Sequence, residues 1–260
     1  MMKPMLEICC GSFSDVKTAY ENGADRVELN SALYMGGLTP TLANLIYAKE
    51  NCNIPEVAMV RPRGGGFCYS DEEYDTMLMD AKILLEHGAD GIAFGFLTEE
   101  KMLDKKRTKE MIELIHECGR EAVFHRAFDC IDNQDSAAEM LIMLGADRIL
   151  TSGGAVNVWD GRKQLKHLQN QYGKDITILA GSGVNDTNSS CGSWKCDVTA
   201  AGNAVDFSYD EAMKNCYQCA DAGKVRKLAE EVSGEDSSML GTEGTADYLV
   251  DAVKRRFGLE

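Results

Sequence analysis

The sequence predicts an α/β fold of the TIM (β/α)8 type, with a parallel barrel that is incomplete or irregular at helix 7 and strand 8. The first observation is a Gly-Ala-Asp segment that precedes an apolar run three times, at residues 23–25, 88–90 and 145–147. Each segment follows a helical pattern, so its glycine is predicted to be the left-handed residue that ends a helix. The spacing of about 60 residues holds two strand–helix units, and four such repeats would close an eight-stranded barrel.

Composition indicates one domain over residues 1–260. The chain is 44% apolar, and barrels of this type commonly run to about 250 residues. Its net charge of −15 argues against nucleic acid or an anionic membrane as a partner. No apolar run approaches the roughly 20 residues of a membrane span, and the N-terminus is not typical of a signal peptide. Ten scattered cysteines favour mostly reduced thiols and a cytoplasmic location, while a homo-oligomer remains open.

Strands and helices alternate along the chain. Short apolar, β-branched runs predict strands at residues 5–8, 26–29, 57–61, 91–96, 122–125, 148–151 and 176–180. Amphipathic patterns predict helices at residues 14–22, after Thr39-Pro40, and at 71–87, 105–118, 136–144 and 160–172. Ser14 is the predicted N-cap of the first helix, and Pro40 suits a first helical turn.

The pattern fails after the seventh predicted strand. Residues 186–194 are rich in turn and capping residues where a seventh helix is due. Either residues 204–207 form a poor eighth strand after a long loop, or the seventh helix and most of the eighth strand are missing. We favour the second alternative.

Arginine and histidine side chains follow two of the predicted strands. Arg61 and Arg63 leave strand 3 beside Gly64 and Gly65, a combination that suits an anion, although a solvated loop is the plain alternative. His125, Arg126 and Asp129 follow strand 5 and could supply acid–base chemistry. The alternative is a histidine bonded within the barrel and an Arg–Asp pair that holds the loop.

Period-2 alternation places Glu7 with Cys9 on strand 1 and Glu28 with Asn30 on strand 2, facing the barrel interior. Buried carboxylates need cationic partners, so a structural salt-bridge network explains them as well as catalysis does. Small residues end the late strands, where many such barrels bind phosphate. The candidate catalytic residues are therefore Glu7, Glu28, Arg61, His125, Arg126 and Asp129. The candidate anion-binding residues are Arg61, Arg63, Gly64, Gly65, Thr151, Ser152, Gly153, Gly181 and Gly183.

Several of these segments together carry a family resemblance. They are LEICC at 6–10, DRVEL at 25–29, GGLTP at 36–40, RPRGG at 61–65, FCYSD at 67–71, FHRAFD at 124–129 and LTSG at 150–153. In this order they resemble the CutC copper-homeostasis family over about residues 5–184. The resemblance implies a cytoplasmic TIM barrel linked to copper handling, with no securely assigned reaction.

The sequence departs from the family pattern in two places, at the implied copper site and where helix 7 and strand 8 are due. The resemblance implies a Cu(I) pair of Cys9 with a cysteine at position 30, but this chain has Asn30, and an amide is a poor ligand for soft Cu(I). The implied pair is broken unless Cys10 or Met35 substitutes, so Cys9 and Cys10 are the candidate metal ligands. Residues 189–194 resemble the stretch that follows strand 8 in relatives. This supports the alternative in which helix 7 and most of strand 8 are missing.

One further cysteine pattern, Cys216-x-x-Cys219, is predicted on a helix, and without a second pair a closed zinc site is not expected. Three function classes remain: a copper-binding protein with an anion-binding pocket at the strand ends, an enzyme that acts on a small phosphorylated or carboxylated metabolite, and a degenerate barrel without activity. Their partners are a copper ion or a small anionic metabolite.

Overall fold

The structure, a computed structural model, describes residues 5–182, 191–197, 199 and 216–233. Seven parallel strands form one sheet in chain order: β1 (Glu7–Cys10), β2 (Arg26–Leu29), β3 (Glu56–Met59), β4 (Gly91–Phe94), β5 (Glu121–Phe124), β6 (Arg148–Thr151) and β7 (Thr177–Ala180). A helix follows each of the first six strands: α1 (Phe13–Glu21), α2 (Leu42–Asn51), α3 (Asp71–Glu86), α4 (Lys105–Glu117), α5 (Gln134–Leu144) and α6 (Arg162–Tyr172). The prediction of an incomplete TIM-type barrel is confirmed.

The first strand and helix begin at other residues than the sequence predicts. The backbone N–H of Leu6 donates to the Asp25 carboxylate at 2.8 Å, and β1 begins after it, at Glu7. Helix α1 begins at Phe13 because the Ser12 hydroxyl, and not Ser14, caps it by accepting from the backbone N–H of Asp15. The remaining predicted elements agree with the structure to within two residues at most ends.

The three Gly-Ala-Asp segments have the predicted backbone. Their glycines have φ of +93°, +98° and +87°, in the left-handed region that ends helices. Each aspartate also accepts a backbone N–H from the start of the preceding strand. These bonds join Asp25 to Leu6 (2.8 Å), Asp90 to Glu56 (2.9 Å) and Asp147 to Ala122 (2.8 Å). The segment therefore ends a helix and fixes the next strand to its neighbour.

Two apolar layers hold the sheet. The inner face carries a small cluster of Val57, Met59, Ala93, Val123 and Leu150. The outer face packs against the helices through a much larger cluster, which includes Ile8, Leu29, Phe94, Phe124 and Ile149. Successive residues of a strand point to opposite faces of the sheet. Polar residues that are an even number of positions from Val57 or Met59 along the strand therefore face the interior.

An ion-pair network fills the amino-terminal end of the interior. Arg26 lies 2.7 Å from Glu7 and 2.7 Å from Glu121, and Arg148 lies 3.0 Å from Glu121. Burial raises the pKa of Glu7 to about 7, and the Arg26 charge opposes that rise. Glu7 thus lies in the salt-bridge network that was one of its two predicted roles.

A two-stranded hairpin follows the parallel sheet. β8 (Gly192–Cys196) pairs with β9 (Cys216–Ala220) in antiparallel register, and α7 (Ala222–Ser233) contacts α1. The hairpin is tied to the barrel where the backbone N–H of Ala220 donates to Asp15 at 2.7 Å. The strand predicted at 204–207 lies outside the described residues, and β1 and β7 are the two end strands of the parallel sheet.

The Cys-x-x-Cys segment was predicted on a helix, and this prediction is wrong because residues 216–219 pair with β8. Cys196 and Cys216 face each other in that ladder and form a disulfide. The other eight cysteines are not in disulfides in the described structure, and the prediction of mostly reduced thiols stays a prediction. None of the described helices has the length and apolarity that a bilayer crossing requires.

Candidate functional site

A cavity of about 350 Å³ lies at the carboxyl ends of the strands. Residues of the sheet, of the loops that follow it and of the hairpin surround it. They are Cys9, Glu28, Asn30, Leu33, Tyr34, Gly36, Met59, Arg61, Phe67, His125, Arg126, Leu150, Gly181, Ser182, Gly192, Gln218, Cys219 and Ala220. Glu7, Glu28, Arg61, His125 and Arg126 were predicted to converge at one end of the barrel. The last four line this cavity. The prediction is wrong for Glu7, which pairs with Arg26 at 2.7 Å in the ion-pair network at the amino-terminal end of the interior.

Glu28 is a buried carboxyl group with incomplete hydrogen bonding. Its Oε1 accepts from Asn30 Nδ2 at 3.1 Å and from the Cys9 thiol at 3.6 Å. Its Oε2 is buried without a partner among the described residues. Burial raises the pKa of Glu28, while the bonds from Asn30 and Cys9 oppose the rise. The group therefore holds its proton to higher pH than an ordinary glutamate.

Arg61 follows β3 and is 5% exposed. Its guanidinium donates to the carbonyls of Met35 (2.8 Å), Gly37 (2.9 Å) and Gly65 (2.9 Å), and it lies 5.2 Å from the ring centre of Phe67. Its Nε has no hydrogen-bond partner among the described residues, and none of their carboxylates pairs with it. The Tyr69 hydroxyl also lies beside this guanidinium. A buried positive charge that carbonyls, a hydroxyl and a ring surround, with no carboxylate of the described residues, suits an anion.

His125 follows β5 and is 2% exposed. Its Nδ1 accepts the backbone N–H of Ala127 at 3.1 Å, so the neutral ring carries its proton on Nε2, which has no partner among the described residues. Burial, assisted by the Arg61 charge, lowers the pKa of His125 to about 3. The ring therefore stays neutral near pH 7 and can act as a hydrogen-bond donor.

Arg126 and Asp129 form the pair that was the alternative to catalysis. Arg126 Nε donates to Asp129 at 2.8 Å. Asp129 also accepts from the Thr151 hydroxyl (2.5 Å), from the Ser152 N–H and hydroxyl (both 3.0 Å) and from the Gly154 N–H (3.0 Å). Asp129 does not line the cavity, and its bonds hold the loop after β6 against the loop after β5.

Most predicted anion-binding groups are bonded within the protein. The Arg63 guanidinium pairs with Glu73, and the carbonyls of Gly64 and Gly65 accept from Arg63 and Arg61. None of Arg63, Gly64 and Gly65 lines the cavity.

The predicted anion-binding groups in the loops after β6 and β7 are also bonded within the protein. The backbone N–H of Gly153 donates to the Thr151 hydroxyl at 2.9 Å, and that of Gly181 donates to the Thr151 carbonyl at 2.9 Å. Of this group only Gly181 lines the cavity, while Thr151, Ser152 and Gly153 do not. Gly183 lies outside the described residues.

The candidate copper ligands lie on opposite faces of β1. Cys9 lines the cavity, whereas Cys10 is fully buried on the helix side, where burial raises its thiol pKa. The two thiols cannot hold one ion together because successive strand residues point apart. Asn30 occupies the position of the second implied ligand, and its amide bonds to Glu28. Across the described residues, no group of three or more His, Cys, Asp or Glu side chains could hold a metal ion. The implied two-thiolate pair does not fit because Asn30 supplies an amide in place of its second thiolate.

Sequence reasoning missed several lining residues. Phe67 contacts both Arg61 and His125, with a ring distance of 5.0 Å to the latter. Gln218 and Cys219 come from the hairpin. Phe67 directly follows the glycine run, which was the available signal, but the hairpin residues carry no local signal because only long-range folding brings them here.

Comparison with known proteins gives a consistent result. A protein-family model described as the CutC family matches residues 4–193. A relative from Treponema denticola, named as family protein CutC, is 43% identical over 185 residues, which are 71% of this chain and 74% of the relative. The human copper homeostasis protein cutC homolog is 38% identical over 184 residues, 71% of this chain and 67% of its own length. A solved structure from Streptococcus agalactiae, named for CutC and copper homeostasis, has a TM-score of 0.64 and 29% identity, and covers 69% of this chain and 88% of its own.

Proposed function

The chain belongs to the CutC family, and we propose that its cavity binds a small organic anion and that a side chain of the cavity transfers a proton to or from that anion. The observation that carries the proposal is a set of three buried polar atoms that lack partners among the described residues. They are Glu28 Oε2, Arg61 Nε and His125 Nε2. All three side chains line one cavity, so one ligand can satisfy all three.

Arg61 is the anion partner in this proposal. The cavity is about 350 Å³, which is within the size range of small-molecule sites. A negative group beside the guanidinium would neutralise a charge that no carboxylate of the described residues neutralises.

Glu28 is the proton-transfer group, and His125 is the donor that stabilises negative charge. A raised pKa brings a carboxyl group toward the range in which it can both accept and release a proton near pH 7. The neutral His125 ring offers its Nε2 proton to an oxygen on which charge develops. This combination suits removal of a proton from carbon next to a carbonyl group, with the developing oxyanion facing His125.

A location in the cytoplasm is also proposed. It is supported by the eight cysteines outside disulfides, since reduced thiols are typical of that compartment.

The test uses 2-oxobutanoate in D2O, with deuterium incorporation at carbon 3 followed by proton NMR. The protein should accelerate the exchange, and Glu28→Gln should slow it at least about a hundredfold, since general acid–base groups contribute on that scale. Glu86→Gln, an exposed glutamate on α3, is the control. A panel of small carboxylates and phosphate esters should raise the melting temperature. The proposal would be contradicted if the protein neither accelerated the exchange nor showed a thermal shift with any compound of the panel.

Cu(I) binding is the second candidate function. It is favoured by the names of the relatives and by two thiols, Cys9 and Cys219, that line the same cavity. Titration of the reduced protein with Cu(I) against a bathocuproine-type chelator tests it. Loss of binding in Cys9→Ser with retention in Cys118→Ser, an exposed thiol outside the cavity, would support a site there.

A further inference from the structure

The charge of the cavity limits what it can bind. Two guanidiniums line it, but Arg126 lies 2.8 Å from Asp129 and is neutralised there. Arg61 has no such carboxylate among the described residues. Counted over the described residues, the cavity therefore offers one positive charge that no carboxylate matches.

The hydrogen-bonding capacity of Arg61 is also limited. The three backbone carbonyls take three of its five N–H groups and leave two, one of which is on Nε. A carboxylate has one charge and two oxygens that accept from a guanidinium side by side, so it matches what remains. A phosphate ester carries close to two charges and three acceptor oxygens, which exceeds this supply.

The backbone amides that would supplement Arg61 are engaged elsewhere. In barrels of this type, phosphate commonly binds to loops after the late strands. Here the N–H groups of Ser152 and Gly154 donate to Asp129, and that of Gly181 donates to the Thr151 carbonyl. A phosphate in the cavity would therefore receive no hydrogen bonds from these amides.

The rest of the cavity wall is largely apolar. Leu33, Met59, Phe67 and Leu150 line it together with the polar groups. Phe67 lies beside both Arg61 and His125, so an apolar group next to a bound carboxylate would pack on its ring.

From these four features we propose that the cavity selects a monocarboxylate with an apolar or aromatic body over a phosphate ester of similar size. This selectivity rests on the proposed anion-binding function, and it concerns which anion is bound.

The experiment compares three probes with a phenyl group, namely 3-phenylpropanoate, phenyl phosphate and 3-phenylpropanamide, by isothermal titration calorimetry at pH 7.5. The carboxylate should bind at least about tenfold more tightly than either of the others, since a charge-assisted bidentate pair is worth that much. Arg61→Met should abolish the preference for the carboxylate over the amide. Arg107→Met is the matched control, because Arg107 also lies on a ring, that of Tyr74, but pairs with Asp71 and lies outside the cavity.

Each outcome decides one point. Equal or tighter binding of phenyl phosphate would overturn the selectivity and leave the anion-binding function standing. Equal binding of the amide and the carboxylate, or no binding of any probe, would overturn the selectivity, and the separate panel of anions then decides the broader function. The wild-type comparison stands even if Arg61→Met fails to fold.

Discussion

Replacement of Glu56 by glutamine should stabilise the protein, and more strongly as the pH rises. Glu56 begins β3, and its side chain lies on the helix side of the sheet, opposite to Val57. It is 0% exposed, and neither carboxyl oxygen has a hydrogen-bond partner among the described residues. Burial raises the pKa of Glu56 to about 7, while Lys49 lowers it and Asp90 raises it.

The magnitude follows from the difference between folded and unfolded pKa values. The folded state binds the Glu56 proton more tightly than the unfolded chain, in which the pKa is 4.5, so this contribution is complete below that pH. It is lost as the pH rises from 4.5 through about 7. At about 1.4 kcal/mol for each pKa unit, the free energy of unfolding should fall by about 2.5 kcal/mol between about pH 5 and pH 8. Glutamine cannot ionise and has nearly the same volume as glutamate. The free energy of unfolding of the variant should therefore lack this pH-dependent fall.

Urea unfolding of the wild type and of Glu56→Gln at several pH values measures the effect. The difference in the free energy of unfolding should be small near pH 5 and should grow toward pH 8. Glu7 also has a raised pKa, but its contribution cancels in the difference because both proteins contain it. Glu50→Gln, an exposed glutamate on α2, should show no such trend. A difference that does not change with pH would refute the reasoning.

Three other predictions concern copper, the sheet and the hairpin. Asn30→Cys should raise Cu(I) affinity about tenfold or more in competition titrations, because it restores a soft ligand beside Cys9, and equal affinity would show that this pair is not the site. Amide hydrogen exchange should be faster in β1 and β7, the end strands of the sheet, than in β3 to β5, and uniformly slow exchange would contradict this. Reduction of the Cys196–Cys216 disulfide should destabilise the hairpin by about 3 kcal/mol and speed trypsin cleavage after Lys195; cleavage at an unchanged rate would count against it.

The repeat and the strand ends were predictable from sequence because their signals are local. A glycine with positive φ after a helical pattern marks each helix end, and period-2 alternation placed Glu28 and Asn30 on the inner face. The convergence of Glu28, Arg61 and His125 then followed from the fold, since parallel strands end at one side of a sheet.

The rest depended on contacts between distant residues. Asp129 is three residues from Arg126 in sequence, but its other bonds go to Thr151 and Ser152, more than 20 residues away. No local pattern distinguishes that role from catalysis. The strand at residues 216–220 forms because it pairs with Gly192–Cys196, whereas the isolated Cys-x-x-Cys spacing is equally compatible with a helix.

The aspartates of the Gly-Ala-Asp segments have a consequence for how such a barrel tolerates loss of sequence. Within the continuous sheet, each bond joins an even-numbered strand to the odd-numbered strand before it, so β1 with β2, β3 with β4 and β5 with β6 each share one such side-chain bond in addition to their backbone pairing. In this numbering β7, which pairs with β6, takes the place of the first strand of a fourth such pair. A deletion that removes the strand after β7 leaves the three complete pairs and all three aspartate hydrogen bonds intact. Such a chain can lose a strand without losing the arrangement of Glu28, Arg61 and His125, because all three belong to the pairs that remain.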